Sequence, residues 1–481
     1  MSSTWSAEEM SGADFGDARL SNRAVAVLDA LGHRPNLSIP AACGGRSEMV
    51  AAYRFFDNEN VTFDKILDPH IRRTQQRLAE RPVALLVQDT TEIDLTRREL
   101  EVEGAGTLDG GSRSGFFLHL IQAYTPEGVP LGTVWSSIRN RTEGVCGATT
   151  MTRAERQELP IELKESVRWL EGMRRARAVA QMCPSTQVVC IGDSESDIYE
   201  AMSEERGEMP VHRAVRTRQD RAQKAEDPSG RPRTRMPLLH ERAMSTEVLY
   251  TVELNIRARH SELPVDANKS RRQNRQARTA TAEVRATTVT LRPPPRPDRV
   301  LPPITVNAIL VREIDPPEGE IAVEWLLLTT LPIGTLEEIR TVVQYYCVRW
   351  QIEVFFRTLK SGCRIEKRRF EHVDRVLACL GICLIVAWRT LFVCRMGRAC
   401  PEADCETMFE PSEWKAVWSA MKGEVPPEEP PRLREMVHLI ARLGGYVGGN
   451  SSEPGAQTIW IGLQRMYDLA WAWDTFGPGS K

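Results

Sequence analysis

The sequence has no uninterrupted apolar segment of the length that crosses a lipid bilayer. Its most apolar stretch, residues 376–393, contains Gly381 and Arg389 and falls short of the ~20 clean apolar residues that a membrane-spanning helix needs. We predict that this stretch is a buried helix and that the protein has no membrane partner. A signal peptide is also missing, which favours a cytoplasmic location.

Cysteine patterns typical of disulfide frameworks or metal sites are missing as well. The eleven cysteines are odd in number and include no Cys-x-x-Cys pair, and the eight histidines are scattered. We therefore expect reduced thiols and no zinc site. There is no P-loop, and Gly104-Ala105-Gly106 lacks the strand and helix of a dinucleotide-binding fingerprint.

Net charge is almost zero, but the charge is unevenly distributed. The 63 Lys and Arg residues nearly balance the 65 Asp and Glu residues, leaving a formal net charge of -2. Residues 211–300 nevertheless contain 20 basic and 10 acidic residues. A basic segment in an otherwise acidic chain indicates a surface that faces a polyanion.

The length and composition are those of a globular protein with several structural units. A chain of 481 residues with 41% hydrophobic and 27% charged residues can bury a core and is long enough for two to four units. Residues 1–70 predict a helical domain, with amphipathic stretches at residues 21–31 and 48–56. Residues 372–481 predict a second helical domain. No internal repeat is visible.

Between these helical regions the pattern is that of an α/β domain at residues 71–371. Buried strands are predicted at residues 83–87 and 187–191, a hairpin between residues 115 and 138, and a charged helix at residues 153–180.

A basic, β-rich insertion at residues 217–319 interrupts this domain and ends near a stiff proline-rich connector. A strand at residues 321–329 and one long helix at residues 335–361 follow. Thr335 and Glu338 form a T-x-x-E capping box at the start of that helix.

Two aspartates, Asp89 and Asp193, directly follow the two buried strands. Ligands bind at strand ends in open α/β sheets, so both carboxylates are candidates for a functional site. The alternative is that each aspartate only caps a turn or the next helix. Glu195 and Asp197 could compete with Asp193, although only Asp193 ends its strand.

The long helix carries polar residues on one face. At about 100° per residue, four of them fall within about 60° of one another: Tyr346, Arg349, Glu353 and Lys360. A separate apolar face that can pack on a sheet consists of Val348, Ile352, Phe355 and Leu359. Alternatively, Glu353 only pairs with Arg349 or Arg357 on a solvated surface.

Three carboxylates on two strands and a helix would form a site of hard oxygen ligands. Asp89, Asp193 and Glu353 together suit Mg²⁺, which keeps part of its coordination for water and substrate phosphate. Two Mg²⁺ ions ~3.5–4 Å apart, or Mn²⁺ in their place, activate the attacking oxygen and stabilise the leaving oxygen of a phosphodiester.

These residues resemble a known family. The spacing Tyr346-(2)-Arg349-(3)-Glu353-(6)-Lys360, together with Asp89-Thr90-Thr91 and the segment that begins at Asp193, looks like that of bacterial insertion-sequence DDE transposases, specifically the hairpin-forming Tyr-Arg-Glu-Lys group. The resemblance covers nearly the whole chain and extends through Ala52-Tyr53-Arg54-Phe55, Gly115-Phe116-Phe117-Leu118-His119, Trp325-Leu326-Leu327-Leu328-Thr329 and Leu443-Gly444-Gly445.

The resemblance implies an RNase H-like catalytic core that contains a β-rich insertion and is flanked by helical N- and C-terminal domains. It also implies cut-and-paste DNA transposition. Metal-dependent nicking would free a 3′-hydroxyl, which attacks the opposite strand to make a hairpin. Water would then reopen the hairpin, and the freed end would join target DNA.

The resemblance also implies roles for single residues. Asp89, Asp193 and Glu353 would be the metal ligands, and Tyr346, Arg349 and Lys360 would hold phosphates near the distorted DNA end. Trp325 would stack on a flipped base, the alternative being a core aromatic residue. Further expected DNA contacts, each with a structural or solvated alternative, are Arg54, Arg216, Arg218 and the basic residues at 271–278.

The implied partners are double-stranded DNA, as transposon ends and as target, and a second copy of the chain. Residues 1–70 would bind the ends, and residues 372–481 would form the dimer contact. The protein would work in the bacterial cytoplasm, associated with the nucleoid when it is bound to DNA. Alternatives are a non-transposing RNase H-like endonuclease or junction resolvase, and a catalytically silent DNA-binding protein.

Overall fold

The computed structural model describes residues 4–478 except 98, 100, 110–111, 142–151, 153–154, 156–158, 205–210, 222–237, 257, 259–273 and 449–452. The chain divides into two compact units. Unit 1 consists of Met1–Gly147, Met182–Thr186 and Trp350–Lys481, and unit 2 consists of Ala148–Gln181 and Gln187–Arg349.

Unit 1 begins with the helical region that the amphipathic stretches predict. Polar residues begin these helices, as where the Thr62 side chain accepts from the Lys65 amide at 3.3 Å. The last helix of this region runs past residue 70, where the predicted domain ends, and stops at Ala79. The helices are α1 (Trp5–Glu9), α2 (Ala18–His33), α3 (Ile39–Ala42), α4 (Arg46–Phe56) and α5 (Phe63–Ala79).

Four strands of unit 1 follow in antiparallel pairs. They are β1 (Val83–Asp94), β2 (Gly106–Thr107), β3 (Ser114–Tyr124) and β4 (Pro130–Arg139). Strand β3 pairs with each of the other three, and Asp89 lies opposite Leu120. The predicted strand and hairpin are confirmed, but the expectation that Asp89 follows the end of its strand is wrong, because β1 continues in its pairing with β3 through Asp94.

Among its described residues, unit 2 contributes six strands and four helices. Strand β5 runs parallel to β6, and the order then continues with antiparallel neighbours as β6-β10-β9-β8-β7. The predicted insertion supplies β7, β8 and β9, which extend this sheet. The elements are α6 (Val167–Met182), β5 (Gln187–Gly192), α7 (Tyr199–Ser203), β6 (His212–Thr217), α8 (Leu239–Met244), β7 (Tyr250–Ile256), β8 (Arg278–Leu291), β9 (Ile304–Glu313), β10 (Glu324–Thr329) and α9 (Leu336–Val348).

The charged helix predicted at residues 153–180 is wrong at its N-terminal end. Helix α6 begins at Val167, and a short 3₁₀ turn at Ile161–Leu163 precedes it. Pro160 stands before that turn, and proline has no amide hydrogen for a helical hydrogen bond and restricts the residue before it. Much of residues 153–158 lies outside the described residues.

The chain returns to unit 1 through helix α10 (Trp350–Arg357), a π-helical turn (Thr358–Gly362) and a 3₁₀ turn (Ile365–Lys367). The prediction of one helix over residues 335–361 is therefore wrong. Its start is confirmed, because Thr335 and Glu338 form the capping box. At Arg349, however, the amide donates to the Tyr346 carbonyl at 3.0 Å, a tighter turn that interrupts the helix.

The C-terminal part of unit 1 is helical, as predicted. It contains α11 (Val373–Ala399), α12 (Pro411–Lys422), α13 (Leu433–Leu443) and α14 (Ala456–Phe476). Helix α11 is long and apolar enough to cross a bilayer, but 83% of its most apolar window is buried inside the fold. It is a core helix that carries three of the ten described cysteines, and none of those ten forms a disulfide. The architecture is the predicted α/β class with helical N- and C-terminal parts.

Candidate active site

The turn after β5 holds Asp193 in a fixed position. Residues Val188–Gly192 are buried, and Asp193 is the first half-exposed residue after them. One Asp193 carboxylate oxygen accepts from the Glu195 amide at 2.7 Å, and the Ser196 hydroxyl donates to the Asp193 carbonyl at 2.6 Å. A Cβ at Gly192 would lie 2.2 Å from the Ser196 hydroxyl, so only glycine fits there.

The neighbouring acids serve other purposes. Asp197 is 1% exposed and accepts from Arg221 at 2.6 Å. Glu195 is exposed and pairs with Arg168 at 3.5 Å. Of the three acids after β5, Asp193 alone combines a place at the strand end with partial exposure, which is what a metal ligand requires.

A buried arginine supports this turn from β6. Arg213 is 4% exposed, and its Nη2 donates to the Ser196 carbonyl at 3.3 Å. Burial lowers the pKa of Arg213. Sequence reasoning missed this residue because nothing in a strand-like segment marks one arginine as buried.

Unit 2 brings several predicted site residues near Tyr346: the charges of Arg216, Arg349 and Asp193 act on its hydroxyl, and Trp325 lies beside its ring. Tyr346 is 4% exposed, and its hydroxyl has no hydrogen-bond partner of good geometry among the described residues. Burial raises the pKa of Tyr346, and the charges of Arg216 and Arg349 oppose that rise while Asp193 adds to it. The half-buried Trp325 ring lies 5.8 Å from the Tyr346 ring, centroid to centroid.

In unit 1, Asp89 occupies the point where β1 emerges from the core. Residues 84–88 are buried, and Asp89 is half-exposed. A carboxylate oxygen of Asp89 accepts from the Thr90 amide at 2.7 Å. The Thr90 hydroxyl hydrogen-bonds at 2.8 Å to Nδ1 of His119, a fully buried residue directly opposite on β3. His119 was not predicted as a site residue, and the only signal was its place in the hairpin.

Glu353 lies on α10, which packs against β1. The predicted apolar face is confirmed, because Ile352 and Phe355 are fully buried. Glu353 lies beside this apolar face on the helix surface and is half-exposed. Unit 1 thus places Asp89 and Glu353 on two elements that contact each other.

Lys360 lies in the π-helical turn, a feature frequent at functional sites. Its Nζ is 3.3 Å from a carboxylate oxygen of Glu366. The same oxygen accepts from the Asp94 amide at 3.2 Å, which ties the pair to the end of β1. Sequence reasoning did not single out Glu366, because its distance from Lys360 matches no helical spacing.

The arginines predicted to contact the DNA backbone lie in different surroundings. Arg54 is exposed on the last turn of α4, and Arg218 is exposed after β6. Arg278 pairs with Glu313 at 2.9 Å and with Glu320 at 2.6 Å, so this predicted DNA contact has acidic partners within the fold. Residues 271–273 lie outside the described residues.

The predicted metal ligands fit a hard divalent ion by their chemistry. Asp89, Asp193 and Glu353 each offer carboxylate oxygens from a half-exposed position. Across the ranges that the structure describes, no group of three or more His, Cys, Asp or Glu residues is placed to hold a metal ion.

Three known families match the chain. "Transposase DNA-binding" matches residues 2–61, "Transposase DDE domain" matches residues 172–389, and "Transposase Tn5 dimerisation domain" matches residues 385–470. Asp193 and Glu353 lie within the DDE match, and Asp89 lies outside all three.

A solved structure, the cryo-EM structure of the piggyBac transposase synaptic complex with hairpin DNA, shows a distant similarity. It is 11% identical with a TM-score of 0.33, and the match covers 86% of this chain and 77% of that one.

Along the chain the family matches follow the order DNA-binding, DDE and dimerisation. A DDE domain is an RNase H-like catalytic domain that depends on divalent metal, so the predicted fold class and the dependence on a metal are both supported. The chain belongs to the DDE transposases of insertion sequences, enzymes that bind DNA and dimerise.

Proposed function

We propose that this transposase moves its element by a cut-and-paste route through a DNA hairpin. The observation that carries the proposal is the cluster in unit 2, where Trp325 lies beside Tyr346 and the charges of Arg216, Arg349 and Asp193 act on the Tyr346 hydroxyl. An aromatic face, phosphate-binding cations and a carboxylate thus occur together.

In this proposal Trp325 holds a base outside the DNA helix. It stands at the beginning of β10, half-buried, whereas the following residues from Leu326 to Thr329 are buried. A core aromatic residue would share the burial of those neighbours. A hairpin forces a 3′-hydroxyl across the width of a duplex, and a base that is stacked on an indole would leave that path open.

The cations around Tyr346 are placed to bind phosphate. Nε of Arg216 is buried and has no hydrogen-bond partner in the described part of the chain. The Tyr346 hydroxyl is also an unused donor. Buried donors without partners are costly, and phosphate oxygens of a distorted DNA end would satisfy both of them. Lys360 would add a further phosphate contact in unit 1.

Asp89, Asp193 and Glu353 would hold the divalent metal, which we propose is Mg²⁺ with Mn²⁺ as a substitute. The metal, when bound, would polarise the phosphodiester and stabilise charge on the leaving oxygen. The fixed turn after β5 would keep the Asp193 carboxylate oriented for this task. The enzyme would act as a homodimer on two transposon ends, at the nucleoid of a bacterial cytoplasm.

The test is cleavage of DNA that carries the ends of the chain's own element, in Mg²⁺, with nicked and hairpin products resolved on a denaturing gel. We expect Trp325→Ala to nick at the parent rate and to close the hairpin at least ~10-fold more slowly, because base stacking contributes roughly 1–3 kcal/mol. Trp325→Phe is the matched control and should retain part of hairpin closure. An abasic site in place of the flipped base should restore part of the loss in Trp325→Ala.

Two outcomes would overturn the proposal. If the folded Trp325→Ala variant forms hairpins at the parent rate, Trp325 does not hold a base. If the parent nicks its ends but never forms a hairpin or joins the freed end to target DNA, the chain cleaves by another route. Thermal melting of each variant separates these results from simple unfolding.

A further inference from the structure

Unit 1 contains a cavity of about 310 Å³ that is separate from the residues discussed above. One wall is formed by residues 36–40 and Tyr53, in the segment that matches the transposase DNA-binding family. The other wall is formed by Arg364 and residues 367–369, in the segment that matches the DDE domain. The volume lies at the small end of the range for small-molecule sites, ~300–1,000 Å³.

The cavity is strongly basic. Arg364, Lys367 and Arg369 line it, and all three side chains are exposed. No ion pair joins any of these three to an acidic residue in the described ranges. Concentrated positive charge that no ion pair within the fold neutralises attracts an anion from outside the chain.

The two walls are held together by a buried arginine. Arg368 is 5% exposed and donates to the Pro35 and Leu37 carbonyls on one wall and, at 3.1 Å, to the Cys363 carbonyl next to the other. Arg364 has a left-handed backbone with φ of 52°. Such a conformation is uncommon in a residue other than glycine and recurs at ligand sites. The cavity is therefore a formed site.

An aromatic ring completes the lining. Tyr53 is half-exposed at the end of α4, and its ring is fixed from one side by an edge contact with Phe370 at 6.5 Å between centroids. Cations beside an aromatic face are the combination with which proteins bind single strands of nucleic acid. The cavity has room for one nucleotide and not for a base-paired duplex.

We propose that this cavity binds an unpaired nucleotide of a DNA strand, with Arg364, Lys367 and Arg369 on its phosphates and its base stacked on Tyr53. The proposal rests on the proposed function, since DNA is the polyanion that a transposase meets. It adds a second nucleotide site, in unit 1, to the base-holding site that we assign to Trp325 in unit 2.

The experiment is fluorescence anisotropy of the full chain with a short 5′-labelled oligothymidylate. We expect Tyr53→Ala to weaken binding by ~5- to 150-fold, which corresponds to the ~1–3 kcal/mol of one stacked base, and Tyr53→Phe to bind like the parent. The double variant Lys367→Gln, Arg369→Gln should bind more weakly and lower the slope of log affinity against log salt by ~0.7 per lost phosphate contact. The charge-matched control is the double variant Arg432→Gln, Arg434→Gln, at two exposed arginines in the C-terminal part of unit 1, and it should change neither quantity.

Three results would overturn the proposal. The first is a folded Lys367→Gln, Arg369→Gln variant with the parent affinity and salt slope; both residues are exposed, so unfolding is not expected. The second is displacement of the oligonucleotide by free thymidine monophosphate as readily as by unlabelled strand, which would make this a site for free nucleotides. The third is equal binding of a duplex of the same length with the same dependence on Tyr53.

The cleavage assay distinguishes failure of the proposed function from failure of the nucleotide site. If the parent binds the oligonucleotide through Tyr53 but cleaves no DNA end in Mg²⁺, the proposed function fails and the nucleotide site stands. If the ends are cleaved through a hairpin but Tyr53→Ala binds the oligonucleotide like the parent, the nucleotide site fails and the proposed function stands.

Discussion

The turn at Asp193 and the turn at Lys360 hold their functional groups by opposite means. Behind Asp193 the supporting polar residues are almost fully buried, with Ser196 and Asp197 each 1% exposed and Arg213 4% exposed. Lys360 is held by an ion pair with Glu366 whose side chains are 30% and 27% exposed. Breaking a buried polar bond is costly, whereas an exposed ion pair contributes only ~0–1 kcal/mol.

This difference agrees with the roles that we propose for Asp193 as a metal ligand and for Lys360 as a phosphate contact. A carboxylate that holds a metal must stay in one geometry, and buried hydrogen bonds behind it prevent movement. A lysine that binds a DNA phosphate must exchange one anionic partner for another. An exposed pair with Glu366 keeps Lys360 extended and releases it at little cost.

The largest expected effect is that of Asp193→Asn, which keeps the turn and removes the charge. We expect loss of end cleavage by at least ~10³-fold, because stabilisation by a held metal is worth several kcal/mol and each 1.36 kcal/mol is tenfold in rate. Binding of end DNA in a gel-shift assay should remain near the parent level.

The matched control is Glu195→Gln, two residues further on and exposed. It should cleave at nearly the parent rate. Cleavage by Asp193→Asn together with loss of cleavage in Glu195→Gln would move the metal ligand to Glu195 and contradict our assignment of the buried support.

The parts of this site that local sequence patterns determine were predicted correctly. Alternation and turn residues indicated the hairpin around His119, and the T-x-x-E pattern indicated the start of α9 at Thr335. The burial of Ile352 and Phe355 followed from helical spacing alone. Each of these features depends on residues within a few positions of one another.

The features that sequence missed depend on distant residues. Arg213 and Arg221 support the Asp193 turn from 17 to 24 positions further along the chain, and no periodicity indicates such pairing. The common face assigned to Tyr346 and Lys360 assumed a regular helix. The interruption at Arg349 and the π-helical turn break that assumption, because both change the rotation per residue.

The variant Arg221→Ala tests the comparison between the two turns by breaking the buried network behind Asp193. The Arg221 and Asp197 side chains are 9% and 0% exposed, so this change leaves a buried carboxylate without its partner. We expect the free energy of unfolding in urea to fall by about 3–5 kcal/mol. The double variant Arg221→Met, Asp197→Leu should recover most of that loss, because it removes the unpaired charge.

The exposed counterpart is Arg168→Gln, which breaks the pair with the 59%-exposed Glu195. This variant should lower the free energy of unfolding by less than ~1 kcal/mol. If Arg221→Ala and Arg168→Gln lower the free energy of unfolding equally, burial does not determine how much these ion pairs stabilise the turn.

Acid titration extends the comparison to a buried pair away from the site. Glu9 is 4% exposed and lies 2.6 Å from His70 Nδ1. Burial would raise the pKa of Glu9, but His70 and Arg77 lower the pKa from 4.5 to about 2. The folded state therefore gains about 3 kcal/mol from this carboxylate at neutral pH, and that gain is lost as the pH falls from 4.5 through 2.

We expect Glu9→Gln to be less stable than the parent by about 3 kcal/mol at pH 7, and the difference to shrink steadily below pH 4.5. Urea unfolding of both proteins between pH 3 and pH 7 measures it. A difference that stays constant with pH would mean that packing of Glu9, and not its charge, supports α1.

The smallest effect is expected for Glu366→Gln, which tests the exposed half of the comparison. The free energy of unfolding should change by less than ~1 kcal/mol, because the pair with Lys360 is exposed. End DNA should bind about two- to threefold more tightly, because Lys360 no longer has a competing anion and ~0.5 kcal/mol corresponds to that ratio. Glu402→Gln, at an 81%-exposed acid in the C-terminal part of unit 1, is the control for the loss of one negative charge and should leave end binding unchanged. If Glu366→Gln instead weakens end binding as much as Lys360→Ala does, Glu366 is a rigid support for Lys360, and the two turns hold their groups in the same way after all.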